Sequence, residues 1–171
     1  MRTFLKIFGV FMLIFVIVGL ILDNQVNVSR EVKINAPPQK IHQLVNDLNQ
    51  WPSWTPWIDM DPSIKTTVGA ISQGVGASQS WVGESGSGKL TFTQSSPETG
   101  VVYDLVFDGD PTVYQAGMRY YPEGDKTRVV WYMQGEMQPI VIGNYFAQLM
   151  DTFVGESFAS GLNKLKALAE K

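Results

Sequence analysis

The chain predicts an α+β domain, a curved antiparallel sheet wrapped around a long C-terminal helix, with one membrane-spanning helix in front of it. Three observations carry this. After Asp61-Pro62, about 75 residues run in strand-like alternation broken by turn residues. Phe146, Leu149, Met150, Phe153, Phe158, Leu162, Leu165 and Leu168 then recur at steps of three and four, as on a helix. The first residues, MRTFLKIFGVFMLIFVIVGLIL, hold no polar side chain from Ile7 to Leu22.

The N-terminal segment comes first in the chain and sets where the rest works. As a helix, Phe4–Leu22 is about 28 Å long, close to the ~30 Å hydrocarbon core of a bilayer. Arg2 and Lys6 precede the span and Asp23 follows it, an order that puts the N-terminus in the cytoplasm. A cleaved signal needs small residues at its cut site, and Gly19-Leu20-Ile21-Leu22-Asp23 offers no Ala-x-Ala-like triplet. We therefore expect residues 1–24 to be an uncleaved single-pass anchor in the inner (cytoplasmic) membrane. Residues 25–171 then form one domain on the extracytoplasmic side, tied close to the membrane by a short tether.

Val26, Val28, Val32 and Ile34 alternate with polar neighbours and read as a half-buried strand. Pro37 and Pro38 end it and suit the first turn of a helix. Ile41, Leu44, Val45 and Leu48 mark that helix over roughly 38–48. Trp51, Trp54 and Trp57, three apart among prolines, indicate a second and tighter turn. Strands follow near 64–68, 76–82, 88–95, 101–108, 112–121 and 127–135. Val101, Tyr103, Leu105 and Phe107 share one face, as do Tyr114, Ala116, Met118 and Tyr120, and Val129, Trp131 and Met133. One sheet face is thus apolar and aromatic while the other is mixed and wet. Gly155 and Gly161 inside the last helix suggest a bend or a close approach to the sheet.

Composition excludes several functions. Of 13 Lys and Arg, Arg2 and Lys6 belong to the anchor; the other 11 meet 16 Asp and Glu, a net charge near −5. Nucleic acid, which needs clustered cations, is not an expected partner. With no cysteine there is no disulfide framework, thiolate metal site or catalytic thiol. His42 is the only histidine and lies off the apolar stripe of its helix, so we expect it to face solvent. A Ser-His-Asp triad and a multi-histidine zinc site are unsupported.

Gly83-Glu84-Ser85-Gly86-Ser87-Gly88-Lys89-Leu90 almost spells a phosphate-binding loop. Leu90 stands where Ser or Thr should hold magnesium, and the run enters a strand, so a glycine-rich hairpin is expected. Asp104, Asp108 and Asp110 lack the ligand order of a calcium loop and read as turn chemistry. We assign no metal, cofactor or catalytic residue.

What remains is a concentration of large side chains on faces that should meet. We assign a pocket to Trp57, Trp81, Tyr103, Tyr114, Met118, Trp131, Met133, Phe146, Met150 and Phe153. Apolar walls with a few polar tips suit a small hydrophobic molecule.

Several segments together resemble the SRPBCC superfamily (START-like, or Bet v 1-like), in its bacterial polyketide cyclase/dehydrase branch. Val32-Lys33-Ile34-Asn35-Ala36-Pro37 resembles its opening strand and turn, and Leu48-Asn49-Gln50-Trp51-Pro52-Ser53-Trp54 its first helix end. Gly76–Trp81 with Gly88–Thr91 resembles the central hairpin, Thr127-Arg128-Val129-Val130-Trp131 a late strand, and Gly161–Lys166 the end of the long helix. The resemblance implies a helix-grip fold with a deep cavity under the C-terminal helix for lipids, sterols, polyketides or other apolar ligands, in a superfamily that also includes ubiquinone-binding proteins. It implies no single reaction.

The expected function is therefore membrane-anchored binding of a hydrophobic small molecule. One alternative is a cyclase or dehydrase using Tyr103, Tyr114 or Tyr132 as hydrogen-bond donors and Glu136 or Asp104 as base. Another is a ligand-free interaction module whose own side chains fill the cavity.

Overall fold

The computed structural model describes residues 1–171, the side chain of Arg2 excepted. Helix α1 (Arg2–Ile21) is followed by β1 (Gln25–Ile34), α2 (Pro38–Val45), a 3-10 turn (Trp51–Ser53) and α3 (Trp57–Met60). Strands β2 (Lys65–Val68), β3 (Ser78–Gly83), β4 (Gly86–Ser96), β5 (Gly100–Phe107), β6 (Tyr114–Glu123) and β7 (Lys126–Glu136) come next. Helix α4 (Ile142–Ala169) ends the chain.

All seven strands join one antiparallel sheet in the order β1-β7-β6-β5-β4-β3-β2. Each strand from β2 to β7 pairs with its neighbour in sequence, while β1 closes on β7, with Val28 opposite Met133. A bulge in β4 between Phe92 and Gln94 shifts its register against β5 and bends the strand. Gly100 opens β5 at φ 108°, where any side chain would strike the carbonyl of Met118. The near-phosphate-loop run is the β3–β4 hairpin, as its strand context requires.

The concave face is covered by α4, α2 and the tryptophan turns. Ile34, Ile41, Val45, Leu48 and Trp54 are fully buried there with Trp131, Leu162 and Leu165. The Trp51 indole N–H donates to the Val45 carbonyl (2.9 Å), and that of Trp54 to Leu44 (3.1 Å). Both carbonyls lie in the last turn of α2, where helical partners run out, so the indoles cap the helix while packing in the core. Trp54 and Trp57 also meet the Trp131 ring edge-on, at 5.4 and 5.9 Å.

Both glycines in α4 mark close approaches. A Cβ on Gly161 would lie 2.7 Å from the Trp131 ring, and one on Gly155 would strike the Arg30 guanidinium. Arg30 in turn grips the Asp151 carboxylate at 2.8 and 3.2 Å and donates to its carbonyl at 2.9 Å, fastening α4 to β1.

Three expectations need correction. His42 does not face solvent but is 9 % exposed, its ring edge-on to Tyr120 and its Nε2 3.3 Å from the Ser95 hydroxyl. Packed between sheet and α4, α2 buries more than its apolar stripe. The first helix is shorter than 38–48, because Asn46 leaves it for the turns that carry the tryptophans. The last helix starts at Ile142, four residues before the first periodic aromatic.

Helix α1 is long and apolar enough to cross a membrane. Nearly all its side chains are exposed, unlike those of a core helix. No free tether follows it, since the strand begins at Gln25 and the start of α4 is fastened to the helix end. Asn144 Nδ2 donates to the carbonyls of Gly19 (2.8 Å) and Leu22 (2.7 Å).

Candidate ligand cavity

Between the sheet and α4 lies a cavity of about 210 Å³. Its floor comes from inward positions of β3, β4, β5 and β7: Gln79, Trp81, Leu90, Tyr103, Leu105, Phe107, Trp131 and Met133. Trp51 and Trp57 close one side, and Val154 and Phe158 of α4 form the roof. Half-buried Ile64, Trp81 and Val154, with exposed Thr66, mark the rim where it meets solvent.

The walls are held by aromatic contacts. Trp131 stacks flat on Phe158 at 4.2 Å, Trp81 meets Phe107 edge-on at 5.7 Å, and Phe92 backs Tyr103 at 5.9 Å. The Trp131 indole donates to the Tyr103 hydroxyl at 2.9 Å. That bond uses an acceptor site of the phenol and leaves its own proton free. Burial pushes the Tyr103 pKa far above the usual phenol range, so the hydroxyl stays neutral and acts as a donor. Gln79 supplies the second polar tip. It is 6 % exposed, and its Oε1 is sealed from water with no hydrogen-bond partner. An unpaired buried amide oxygen is costly in an apolar wall.

Five of the ten residues assigned from sequence line this cavity: Trp57, Trp81, Tyr103, Trp131 and Met133. The other five do not. Tyr114 is buried beside Phe107 and donates its hydroxyl to Asp110 (2.8 Å), and Met118 is fully packed core. Met150 packs partly buried against the core, while Phe146 and Phe153 are 58 % and 66 % exposed. Helix α4 carries two apolar stripes, and the one through Val154, Phe158, Leu162 and Leu165 turns to the sheet. Phe153 lies about 140° round the helix from Phe158.

Sequence reading missed Gln79, Leu90, Leu105, Phe107, Trp51, Ile64, Thr66, Val154 and Phe158 as lining residues. Leu105 and Phe107 share strand parity with Tyr103, and Gln79 with Trp81, so the signal for those three was present. Among the described residues, the wall holds no carboxylate, imidazole or amine. Glu136 is exposed at the end of β7, where it accepts from the Gln25 amide (2.8 Å). Tyr132 is buried on the opposite sheet face, beneath the Arg119 guanidinium at 4.4 Å. Asp104 alternates with Tyr103 and so points to that outer face.

A family model described as polyketide cyclase / dehydrase and lipid transport matches residues 25–170. The chain belongs to this family. Its members' fold extends to solved structures. A Thermobifida fusca protein solved by NMR is similar at 23 % identity and TM-score 0.66, over 84 % of this chain and 92 % of that one. A Thermus thermophilus protein aligns at 21 % identity and TM-score 0.63, over 84 % and 96 %. A Thalictrum norcoclaurine synthase point mutant, solved with a transition state analogue, aligns at 14 % and TM-score 0.62, over 85 % and 94 %. At these identities the likeness shows the helix-grip fold alone. No curated protein matches the sequence.

Proposed function

We propose that this family member is a membrane-anchored binder of a small apolar molecule carrying one hydrogen-bonding group. The observation that carries the reading is the cavity wall, aromatic and aliphatic except for Gln79, whose Oε1 has no partner, the neutral hydroxyl of Tyr103 and Thr66 at the rim. A void of about 150 Å³ takes a benzene-sized ligand, so one of about 210 Å³ accepts a substituted ring or a short branched chain. A longer lipid or quinone would seat its ring there and leave its tail at the rim. A hydroxyl on the ring would donate to Gln79 Oε1, and a hydroxyl or carbonyl would accept from Tyr103.

The lack of a carboxylate, imidazole or amine in the wall supports binding over acid–base catalysis, which needs a proton acceptor in reach. The exposed apolar helix α1, with Arg2 and Lys6 on its short side, supports an inner-membrane anchor and an outward-facing domain. Titrating the full chain in detergent with a neutral naphthalene dye tests the site. Energy transfer from the wall tryptophans should saturate at one dye per chain. Absence of saturable transfer would refute the cavity as a ligand site.

A further inference from the structure

Among the exposed apolar side chains outside α1, four fall on a single helix face. Ile142, Phe146, Leu149 and Phe153 are each about half or more exposed and follow one stripe of α4 at i, i+4, i+7 and i+11. From Met137 to Met150 the chain holds no charged side chain. Within the domain such a stripe has nothing to cover it.

The contacts of the same turns say what does. The Tyr145 hydroxyl donates to the Phe15 carbonyl (2.8 Å), and the two rings stack at 4.5 Å. Gly19 lets α4 approach, since a Cβ there would lie 2.7 Å from the Val141 side chain. Phe15 is six residues before the end of α1, about 9 Å along the helix axis. A span of 19 residues has no length to spare in a bilayer, so Phe15 cannot be lifted out of it. Whatever stacks on Phe15 is then at membrane depth too.

We infer that the first two turns of α4 are a second membrane-embedded element, lying against α1 with Ile142, Phe146 and Leu149 in lipid and Phe153 at the membrane surface. The inference rests on α1 being a membrane anchor. Backbone polar groups at that depth must be satisfied within the protein. Asn144 does this for the carbonyls of Gly19 and Leu22, where α1 runs out of helical partners. Gln148 does the same for the Asp23 carbonyl (2.9 Å). Phe153 is followed by Val154, which stands at the cavity rim. The mouth is thereby held beside the bilayer, and an apolar ligand can pass between lipid and cavity with little exposure to water.

The chain has no cysteine, so single-cysteine variants of the full protein report depth cleanly. Nitroxide labels are placed at Phe146→Cys and Leu149→Cys, with Ile14→Cys reporting the anchor and Asp125→Cys the water phase. The protein is reconstituted in phosphatidylethanolamine–phosphatidylglycerol vesicles. Collision with oxygen, which concentrates in lipid, is compared with collision with a water-soluble nickel chelate. Labels at 146 and 149 should behave like the one at 14, oxygen-accessible and shielded from nickel. Nickel access at 146 and 149, with 14 still in lipid, would overturn the inference and leave the anchor standing. Shielding of 146 and 149 from both reagents would also overturn it, because protein would then cover the stripe. Nickel access at 14 would remove the anchor itself.

Discussion

Trp131 and Tyr103 share a hydrogen bond of 2.9 Å inside an otherwise apolar wall, the indole donating and the phenol accepting. The bond satisfies the indole N–H of a residue that is 1 % exposed. It uses an acceptor site of the phenol and leaves the hydroxyl's own proton free. Packing and ligand chemistry therefore meet at one pair.

Removing the acceptor with Tyr103→Phe should destabilise the protein by about 1–3 kcal/mol, the cost of leaving a buried donor unpaired. Trp131→Ala should cost about 3–5 kcal/mol, the range for a buried aromatic, because the ring is stacked on Phe158 and edged by Trp54 and Trp57. Denaturant titration measures both, and ligand retention should fall in each. A Trp131→Ala loss well above 5 kcal/mol with unchanged ligand retention would make the residue packed core only.

The parts of the fold that sequence made legible are those governed by period. Strand alternation put Tyr103, Trp131 and Met133 on the inner face, and three-residue spacing placed the tryptophan turns beside them. Parity around Trp81 also pointed at Gln79, yet a polar residue on an apolar face is read as an error in the pattern until its burial is seen. The orientation of α4 was not legible. Its two apolar stripes both satisfy helical spacing, and period alone cannot say which one meets the sheet. His42 was misplaced for a related reason, because a short helix wedged between sheet and α4 buries residues beyond its stripe.

Gln79→Leu should stabilise the ligand-free protein by about 1–2 kcal/mol, since it removes an unpaired buried oxygen from an apolar wall. The same change should weaken binding of a ligand that bears a hydroxyl, and leave a pure hydrocarbon unaffected. Thermal unfolding with and without each ligand separates the two effects. A loss of stability on its own would show that the amide is satisfied within the protein.

Gly9 and Gly19 offer an internal comparison in α1. Nothing lies within 4 Å of a Cβ added to Gly9, whereas one on Gly19 meets Val141 and Tyr145. Gly19→Leu should separate α1 from α4 and speed hydrogen exchange at the amides of the first α4 turns. Gly9→Leu should leave that exchange unchanged. Equal effects would mean that the helices are not docked through Gly19.

Burial lowers the His42 pKa below its ordinary value, with Glu98 pulling weakly the other way. The unfolded chain, titrating near about 6.5, then takes up a proton before the folded one does. The stability this group contributes is full above that pH and is lost as pH falls through the folded value. Unfolding free energy should decline between pH 7 and 5, before the carboxylates titrate, and His42→Gln should flatten the decline. An unchanged slope in the variant would assign the loss to other groups.

The central claim is tested most directly by native mass spectrometry of the full chain, released from membranes in a mild detergent. The protein should carry one small apolar molecule above its 19.0 kDa mass, recoverable by solvent extraction. Leu105→Trp, which fills the cavity, should give a folded protein at its bare mass. A bare wild-type mass, together with no uptake of apolar dye, would contradict the account.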